Sequence, residues 1–457
     1  MLASLANTFS NCFKIPELKS RILFTAALLF ICRVIAFVRV PNLDGAALAA
    51  FFDKAGTGGG AVGMYNLFTG GALEHCAVGA LGIMPYISAT IIIQLLTAVV
   101  PTLSKLAREE GGRAKIIQYG RYLTVALCLL QGYFIVLGWE KPDAIGQGIG
   151  QLVLNTDHLW WFEIQTLLVL TTGTMLLMWL GEQITERGIG NGVSLVITIG
   201  IVARLPKAVT AMGDMFFATG VVEAKYNIGH AVALVFLLAA VIAGVIAVTQ
   251  AQRKIPVQYA QRAVGRKVYS GGTSFMPLRV NYAGVMPIIF AGAILSFPQQ
   301  LAQRAGKYFD LPFLTTVAKH LTEGEFLYLT VYAVLILFFS YFWVATQFNE
   351  LQIADDLKKN GGYIPGVRPG QATADYLHHA MTRITLAGAI FLTVIAVIPI
   401  ILTRNMNLSY DVTQFFGGTS MLITVGVMLD TMRQVESHLM MRHYDGFLKK
   451  GRLRGRI

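Results

Sequence analysis

The sequence predicts an all-α polytopic membrane protein whose ten transmembrane helices form two inverted halves of five. Three observations lead to this fold class. Of the 457 residues, 55% are hydrophobic and 14% are charged, whereas about a quarter of the residues in soluble domains are charged. Ten apolar stretches are long enough to cross a bilayer as helices, which takes about 20 residues each. One short motif occurs twice, in stretches that cross the membrane in opposite directions.

The first apolar stretch begins near Ile22. It follows a polar, mixed N-terminus that lacks the pattern of a cleaved signal peptide, so we expect the chain to keep it. The fifth stretch is the least regular, because the run ARLPKAVTAMGD brings charge and proline into its second half. The ten predicted spans are residues 22–40, 79–100, 119–138, 160–180, 193–217, 229–250, 283–302, 326–347, 382–402 and 412–432.

Positive charge orients these spans. A cytoplasmic N-terminus assigns 26 Lys and Arg residues to cytoplasmic segments and 9 to outside loops, and such residues concentrate on the cytoplasmic side of membrane proteins. Both termini are therefore predicted to be cytoplasmic. The same bias accounts for most of the net charge of +12, so no separate nucleic-acid surface is needed to explain it.

The repeated motif is GIMPYI at residues 82–87 and GVMPII at residues 284–289. The second and seventh spans that carry it are antiparallel and hold the same rank in two halves of five, which is the signature of an inverted repeat. Proline removes a helical hydrogen bond, so we expect kinks near Pro85 and Pro287. Matched interruptions point to a functional centre between the halves, although membrane helices also use proline merely to bend.

Several function classes fit the residues poorly. The central parts of spans two to ten hold hardly any Asp, Glu, Lys or His, so a proton-coupled carrier is hard to build. The cluster GTGGG at residues 56–60 is not followed by the Lys of a phosphate-binding loop. His378, His379 and the four cysteines lack metal-ligand spacing. We predict no catalytic residue, no metal and no cofactor.

Two loops on the predicted cytoplasmic side are large. Residues 250–282 alternate apolar and polar side chains, which predicts a hairpin that projects into the cytosol. Residues 347–382 include the turn-rich stretch GVRPG. Such loops suit a large cytosolic partner, and solvated loops without a partner are the alternative. The basic residues selected as candidate contacts are Arg262, Arg266, Lys267 and Arg368.

Five blocks of sequence carry a family resemblance. They are GGALEHCAVGALGIMPYISATIIIQLL (70–96), TGTMLLMWLGEQITERGIGNGVSLVI (172–197), GRKVYSGG (265–272), GVRPGQATADYL (366–377) and FFGGTSMLI (415–423). In these specific, ordered blocks the chain closely resembles the bacterial SecY family, the channel subunits of the general protein translocase. The resemblance spans nearly the whole chain and is weakest in the outside loops near residues 141–158 and 204–228.

The resemblance implies two five-helix halves around a central pore, residues 1–217 and 218–433, followed by a basic cytoplasmic tail at residues 434–457. It also implies a constriction lined by apolar side chains. Such a neck excludes water and ions by dewetting and still yields around a passing chain. Family members commonly have isoleucine where this chain has Met286. The implied ring residues are Ile83, Ile87, Val193, Ile197, Met286 and Ile423.

The resemblance further implies a plug, a short helix at about residues 64–74 that seals the pore from outside and leaves during transport. The plug residues are Met64, Tyr65, Asn66, Leu67, Phe68, Thr69, Gly70 and Gly71. The family also opens sideways to lipid, between spans two and three on one side and spans seven and eight on the other. Polar residues there are candidates for tuning this lateral gate, namely Gln94, Gln131 and Asn281.

The function that the resemblance implies is a passive protein-conducting channel of the plasma (inner) membrane, with no enzyme activity. It would pass unfolded preproteins and release membrane segments through the lateral gate. The implied partners are SecE and SecG subunits, the SecA motor, the ribosome, signal sequences and membrane lipid, with no direct nucleic-acid substrate. The alternatives are an ion-coupled secondary transporter built from inverted repeats and a non-transporting membrane scaffold.

Overall fold

A computed structural model describes most of the chain, and it is helical apart from a few short strands. The described residues are 15–54, 66, 68–109, 111–140, 151–154, 158–216, 228–259, 262–264, 267–269, 272–308, 311–322, 325–405, 412 and 419–450. The helices before residue 217 are α1 (Pro16–Ile35), α2 (Gly45–Lys54), α3 (Met84–Val99), α4 (Pro101–Arg108), α5 (Gly112–Glu140), α6 (Leu159–Arg187), α7 (Gly192–Val202) and α8 (Leu205–Phe216).

The second part of the chain adds seven helices to the described residues, together with five strands. The helices are α9 (Ile228–Gln250), α10 (Met286–Tyr308), α11 (Pro312–His320), α12 (Phe326–Gln347), α13 (Glu350–Lys359), α14 (Gln371–Asn405) and α15 (Thr419–Lys450). The strands are β1 (Gln252–Tyr259), β2 (Arg262–Val264), β3 (Lys267–Tyr269), β4 (Thr273–Arg279) and β5 (Gly362–Tyr363).

Six helices within the described residues are long and apolar enough to cross a membrane. Four are Gly112–Glu140 (α5), Leu159–Arg187 (α6), Gly229–Gln250 (in α9) and Gln371–Ile398 (in α14). The other two are runs that each join two helices, Gly192–Gly213 (α7 and most of α8) and Phe326–Lys359 (α12 and α13). A seventh candidate is the pair α3 and α4, which bends by 103° at its break. The other three predicted spans overlap α1, α10 and α15, so the count of ten stays a prediction.

The first copy of the repeated motif starts a helix instead of kinking one. Helix α3 begins at Met84, so Pro85 lies in its first turn, where proline lacks only an N–H that would have no helical partner. Gly82 has a φ of 58°, a left-handed conformation that glycine adopts without steric cost. The first turn closes when the amide of Ile87 donates to the carbonyl of Ile83 at 3.2 Å.

The second copy has the same geometry. Helix α10 begins at Met286, with Pro287 as its second residue, and Gly284 has a φ of 63°. The amide of Ile289 donates to the carbonyl of Val285 at 3.3 Å. Both predicted kinks are therefore wrong, because each proline stands where the helix has not yet formed its internal hydrogen bonds. The motif sets two equivalent helix starts.

Other boundaries also differ from the predicted spans. Helix α1 ends at Ile35, five residues before the end of its predicted span. The irregular fifth span consists of α7 and α8, with two turn residues, Ala203 and Arg204, between them. Helix α15 continues to Lys450, so the described part of the predicted tail belongs to the last helix. Hydropathy detects the apolar part of a helix and misses its polar extensions.

The helices pack in two groups that meet at a few contacts. In the first group α3 packs on α5, α5 on α6, and α6 on both α1 and α7. In the second group α10 packs on α12, while α14 packs on α12 and α9, and α9 on α15. The groups meet where α10 contacts α3 and α5, and where α7 contacts α15. A single apolar core runs through both groups and includes Trp139, Ile184, Tyr332 and Phe339.

The predicted hairpin at residues 250–282 is confirmed. Strands β1 and β4 pair antiparallel from Gln252 opposite Arg279 to Gln258 opposite Thr273, and the short strands β2 and β3 pair with each other between them. Strand β5 comes from the other large loop and joins the free edge of β1, with Gln258 opposite Tyr363. The two loops therefore share one three-stranded sheet in the order β4, β1, β5.

This sheet has an apolar core of its own. Side chains from β1, β4 and the segment after β5 pack against the end of α12 and the start of α14. The buried residues of this second core are Ile255, Leu278, Val344, Phe348, Ile364, Leu377, Ala380, Met381 and Ile384. The two large loops thus form a single structural unit with the helices that carry them.

Candidate functional site

The six predicted ring residues come from four places in the chain, and all belong to the main apolar core or pack against it. Ile83 precedes the first turn of α3, while Ile197 belongs to α7 and Ile423 to α15; all three are at most 2% exposed. Ile87, also on α3, is buried as well. Val193 and Met286 are partly buried and pack against the same cluster.

Contacts between helices tie this cluster together. The hydroxyl of Ser194 on α7 lies 3.9 Å from the sulfur of Met286 on α10. Helices α10 and α15 approach so closely that a methyl group added at Gly426 would lie 2.0 Å from Cγ1 of Val285. A methyl group added at Gly181 would lie 3.7 Å from Cδ1 of Ile83. Helices α6, α7, α10 and α15 therefore converge around the ring residues.

A cavity with both polar and apolar walls lies beside Met286. It has a volume of about 450 Å³ and is bounded by Met286 and Ser194 together with charged groups of α15. In its wall Arg433 forms an ion pair with Asp430 at 3.7 Å and donates a hydrogen bond to the carbonyl of Thr249. Charged groups of α15 thus face a cavity that also borders the predicted ring residue Met286.

The short plug helix predicted at about residues 64–74 does not extend that far. Asn66 and Phe68 are helical, but the chain continues in turns from residue 69 to residue 83. The helix cannot extend to residue 74, because Gly70 and Gly71 have φ values of 66° and 87°. Met64, Tyr65 and Leu67 lie outside the described residues. The described plug residues, Asn66 and 68–71, are all buried.

We use the name plug segment for Asn66 and residues 68–74. The plug segment packs on the helices that carry the ring. A methyl group added at Gly70 would lie 2.7 Å from Cα of Gly200 on α7, and one added at Gly292 on α10 would lie 3.7 Å from Cζ of Phe68. Between the segment, α1, α6 and α7 remains a cavity of only about 30 Å³. The packing leaves room for about one water molecule.

A buried polar network fixes the plug segment, and the sequence analysis missed it. The Glu74 carboxylate accepts from Asn66 Nδ2 at 3.0 Å, Arg204 Nη2 at 2.9 Å and Lys207 Nζ at 3.3 Å. On the other side of the segment, Arg33 of α1 donates to the carbonyl of Gly70. The sequence did carry a signal for this network. Arg204 and Lys207 bring positive charge into the second half of the fifth span, and Glu74 is an acidic residue shortly after Gly70 and Gly71.

The three lateral-gate candidates lie on or next to neighbouring helices. Gln94 on α3 and Gln131 on α5 are half-buried, and both helices contact α10. Asn281 lies just before α10, where its amide donates to the carbonyl of Gly284 at 2.9 Å. That hydrogen bond supports the start of α10, so the described contacts of Asn281 are local.

The candidate partner contacts lie in the sheet unit. Arg368 is exposed in a turn between Gly366 and Gly370, whose φ values are 83° and 103°. Thr373 closes the turn by donating its hydroxyl to the Arg368 carbonyl at 2.9 Å. The backbones of Arg262 and Lys267 belong to the small hairpin of β2 and β3, and Arg266 lies outside the described residues.

The described residues include three cysteines, all of them buried. Cys32, Cys76 and Cys128 are free thiols, each at most 5% exposed. Among the described residues, no three side chains of His, Cys, Asp or Glu are grouped so that they would hold a metal ion.

Comparisons with known proteins agree with this geometry. The family profile described as SecY matches residues 77–432. The protein translocase subunit SecY of Chlamydia trachomatis is 40% identical over 456 residues, covering 98% of this chain and 99% of the relative. A solved SecY structure, in which the plug domain is described as stabilising the closed state of the translocation channel and maintaining a membrane seal, has a TM-score of 0.63 at 20% identity. It matches over 93% of this chain and 96% of its own.

A second solved structure extends the likeness to another assembly. Sec61 in a canine ribosome-channel complex from the endoplasmic reticulum has a TM-score of 0.58 at 18% identity, covering 93% of this chain and 96% of that one. At such identities the structures establish the fold alone. The profile match and the identity over nearly the whole length establish more: this chain belongs to the SecY family.

Proposed function

We infer that this chain is the pore-forming subunit of a protein-conducting channel. The observation that carries this function is that α10 meets α3, α7 and α15 beside the proposed ring residues, with the plug segment packed on α7 and α10. Family membership supports the same conclusion, because the Chlamydia trachomatis relative is a protein translocase subunit. The ion-coupled transporter and the scaffold have no support from the family match.

In this proposal the ring residues form the neck of the pore. An apolar neck lacks partners for water, so ions do not cross it while it is narrow. Branched aliphatic side chains accommodate polypeptide side chains of many shapes because they form no directional bonds. Met286 makes the neck softer than an isoleucine would, since an unbranched thioether has more rotatable bonds.

The plug segment is the second barrier of the resting channel. Two observations support this role. The segment is buried against α7 and α10, and the plug of the related SecY structure is described as maintaining a membrane seal. Few of its residues are helical, and they make few helical hydrogen bonds, so the segment depends on its neighbours for order. Such a segment leaves when those neighbours move apart.

The lateral gate in this proposal is the seam where α3 and α5 meet α10. These contacts join the proposed halves, residues 1–217 and 218–433, and are fewer than the contacts within each half. Gln94 and Gln131 are proposed to face this seam, with hydrogen bonds of about 0.6 to 2 kcal/mol in a membrane. Contacts of that size hold a seam shut and still let it open.

The energy for transport comes from partners, since the proposed channel is passive. We propose that SecE and SecG complete the complex and that the SecA motor or a translating ribosome drives the substrate. The canine relative is part of a ribosome complex, which supports a ribosome as partner. The sheet unit, with Arg262, Arg266, Lys267 and Arg368, is the proposed docking surface for these cytosolic partners.

We further propose that the protein lies in the plasma (inner) membrane with both termini in the cytoplasm, as the 26 to 9 distribution of Lys and Arg supports. The test of the function is reconstitution. The chain is purified with SecE and SecG, placed in liposomes and supplied with SecA, ATP and a preprotein. ATP-dependent protection of the preprotein from external protease is the expected result, and its absence with an intact complex would contradict the function.

A further inference from the structure

We propose that Glu74, Arg204 and Lys207 form an ionic latch that holds the plug segment in the closed channel. Glu74 is then a positioning residue for the plug, and the strength of this latch sets how readily the channel opens. The inference rests on the proposed function, because it assigns the closing force of that channel to three named side chains.

The carboxylate of Glu74 is the centre of the latch. Oε2 accepts from Arg204 Nη2 at 2.9 Å and from Asn66 Nδ2 at 3.0 Å, while Oε1 accepts from Lys207 Nζ at 3.3 Å. The amide of Glu74 also donates to Oδ1 of Asn66 at 3.1 Å. Glu74 thus holds Arg204 and Lys207 with its carboxylate, and it holds both ends of the Asn66 amide with its carboxylate and its backbone N–H.

Asn66 transmits this hold to the plug backbone. Its carbonyl accepts from the Thr69 hydroxyl at 3.1 Å and from the Gly71 amide at 2.9 Å. The Asn66 side chain is in turn bonded to Glu74 through both of its amide atoms. A displacement of Glu74 therefore also displaces Asn66, and through it Thr69 and Gly71.

The other half of the latch lies next to the ring. Arg204 is in the break between α7 and α8, and Lys207 is in the first turn of α8. Helix α7 carries the ring residues Val193 and Ile197 and packs directly on Gly70 through Gly200. The latch thus binds the plug segment to the helix that lines the neck.

Burial makes the latch strong when complete and costly when incomplete. The side chains of Glu74 and Arg204 are only 10% and 13% exposed, whereas Lys207 is 38% exposed. Two buried opposite charges offset each other's loss of hydration, but a buried charge without its partner is strongly unfavourable. When the plug segment leaves, water hydrates Glu74 and Arg204 separately. Opening therefore costs much less free energy than removing one of these charges while the other stays buried.

The experiment uses the reconstituted complex and the variants Glu74→Gln, Arg204→Gln and the double variant. Glutamine keeps the size of each side chain and removes its charge. We expect Glu74→Gln to raise the resting ion flux of proteoliposomes about tenfold, because Arg204 and Lys207 then lose their carboxylate partner. Arg204→Gln should raise it less, because Lys207 still pairs with Glu74. The double variant should leak less than the product of the two single effects. Arg204→Lys, which keeps the charge, should restore most of the seal.

A second readout separates a latch from a merely structural role. A signal sequence supplies binding free energy for opening, so a weaker closed state needs less of it. Glu74→Gln should therefore transport a preprotein with a defective signal sequence several times better than the unaltered channel does. Misfolding lowers transport and cannot produce this gain.

The matched control is Arg121→Gln, which breaks the 2.7 Å ion pair of Arg121 with Glu182 between α5 and α6. It should leave both the ion flux and the signal requirement unchanged. The latch would be overturned if both single variants kept the ion flux and the signal requirement of the unaltered complex. It would also be overturned if the increase in flux of the double variant equalled the product of the two single increases. If the unaltered complex does not transport the intact preprotein, the proposed function is wrong. If the unaltered complex transports it and the variants behave like the unaltered complex, only the latch is wrong.

Discussion

The sulfur of Met286 lies 3.9 Å from the hydroxyl oxygen of Ser194, so α10 and α7 touch at the proposed ring. Ser194 also donates its amide to the side chain of Asn191, the cap of α7, at 3.3 Å. The contact therefore links one helix start to another, and each carries ring residues. A change in either helix moves the wall of the neck directly.

The ring gives the first prediction. Replacing Ile83 and Ile423 together by asparagine should raise the resting ion flux of the reconstituted channel about tenfold, because dewetting requires an apolar lining. Flux through proteoliposomes, normalised to the amount of intact complex, measures the effect. Ion leak should appear before the complex loses its fold.

The control for the ring is Ile336, which is fully buried in α12 and is not a ring residue. Ile336→Asn should lower the melting temperature without raising the leak of the complex that remains folded. The ring assignment would not survive if the double ring variant stayed ion-tight even after deletion of residues 64–74.

The paired helix starts give the second prediction. Gly82→Ala and Gly284→Ala should each lower the free energy of unfolding by about 1 to 2 kcal/mol, because alanine in the left-handed region is strained. Thermal melting of the purified complex is the measurement. Gly213→Ala is the control, since that site in α8 is open and alanine favours helix by about 0.5 to 1 kcal/mol. Equal melting temperatures for all three variants would contradict the account of the motif.

Arg368 gives the third prediction. Arg368→Glu should reduce SecA-driven transport about tenfold, because a guanidinium that pairs with carboxylates of a partner becomes a repelling charge. Arg368→Lys should be only partly tolerated, since lysine lacks the planar fork of donors. The amount of intact complex should not change, as the side chain is exposed in a turn.

The comparison variant for Arg368 is Lys358→Glu, a charge reversal at another exposed position, near the end of α13. It should retain most of the transport activity. Normal transport by Arg368→Glu would remove this residue from the partner surface and leave the channel function untouched.

Topology gives the fourth prediction. In a cysteine-free background, a single cysteine at position 266 or 368 should react with an impermeant reagent only after the cell membrane is opened. The reason is the excess of Lys and Arg in the segments assigned to the cytoplasm. Labelling of position 266 in intact cells would reverse the predicted orientation.

The sequence predicts features that depend on local composition. Long apolar runs mark the helices because the bilayer demands about 20 residues of hydrocarbon depth, and α12 coincides with its predicted span at 326–347. Alternating polar and apolar residues mark the β1–β4 hairpin. The family blocks carry the ring residues, all six of which belong to the main apolar core or pack against it, and the ring itself stays a prediction.

The missed features depend on geometry or on distant partners. A proline inside an apolar run is compatible with a kink or with a helix start, and the backbone of Gly82 and Gly284 decides between them. Strand β5 has two residues, too few for any periodic signal. Glu74 and Arg204 are 130 positions apart, and only folding brings them together.

The last helix has a mechanical consequence. Ile423 lies in the first turns of α15, and the helix continues to Lys450, about 40 Å further along its axis at 1.5 Å per residue. This length exceeds the hydrocarbon thickness of a bilayer, about 30 Å. The helix therefore extends from the proposed neck, near its first turns, to a basic end beyond the thickness of the bilayer. A protein that grips its basic far end can tilt Ile423 against the other ring residues without touching the pore.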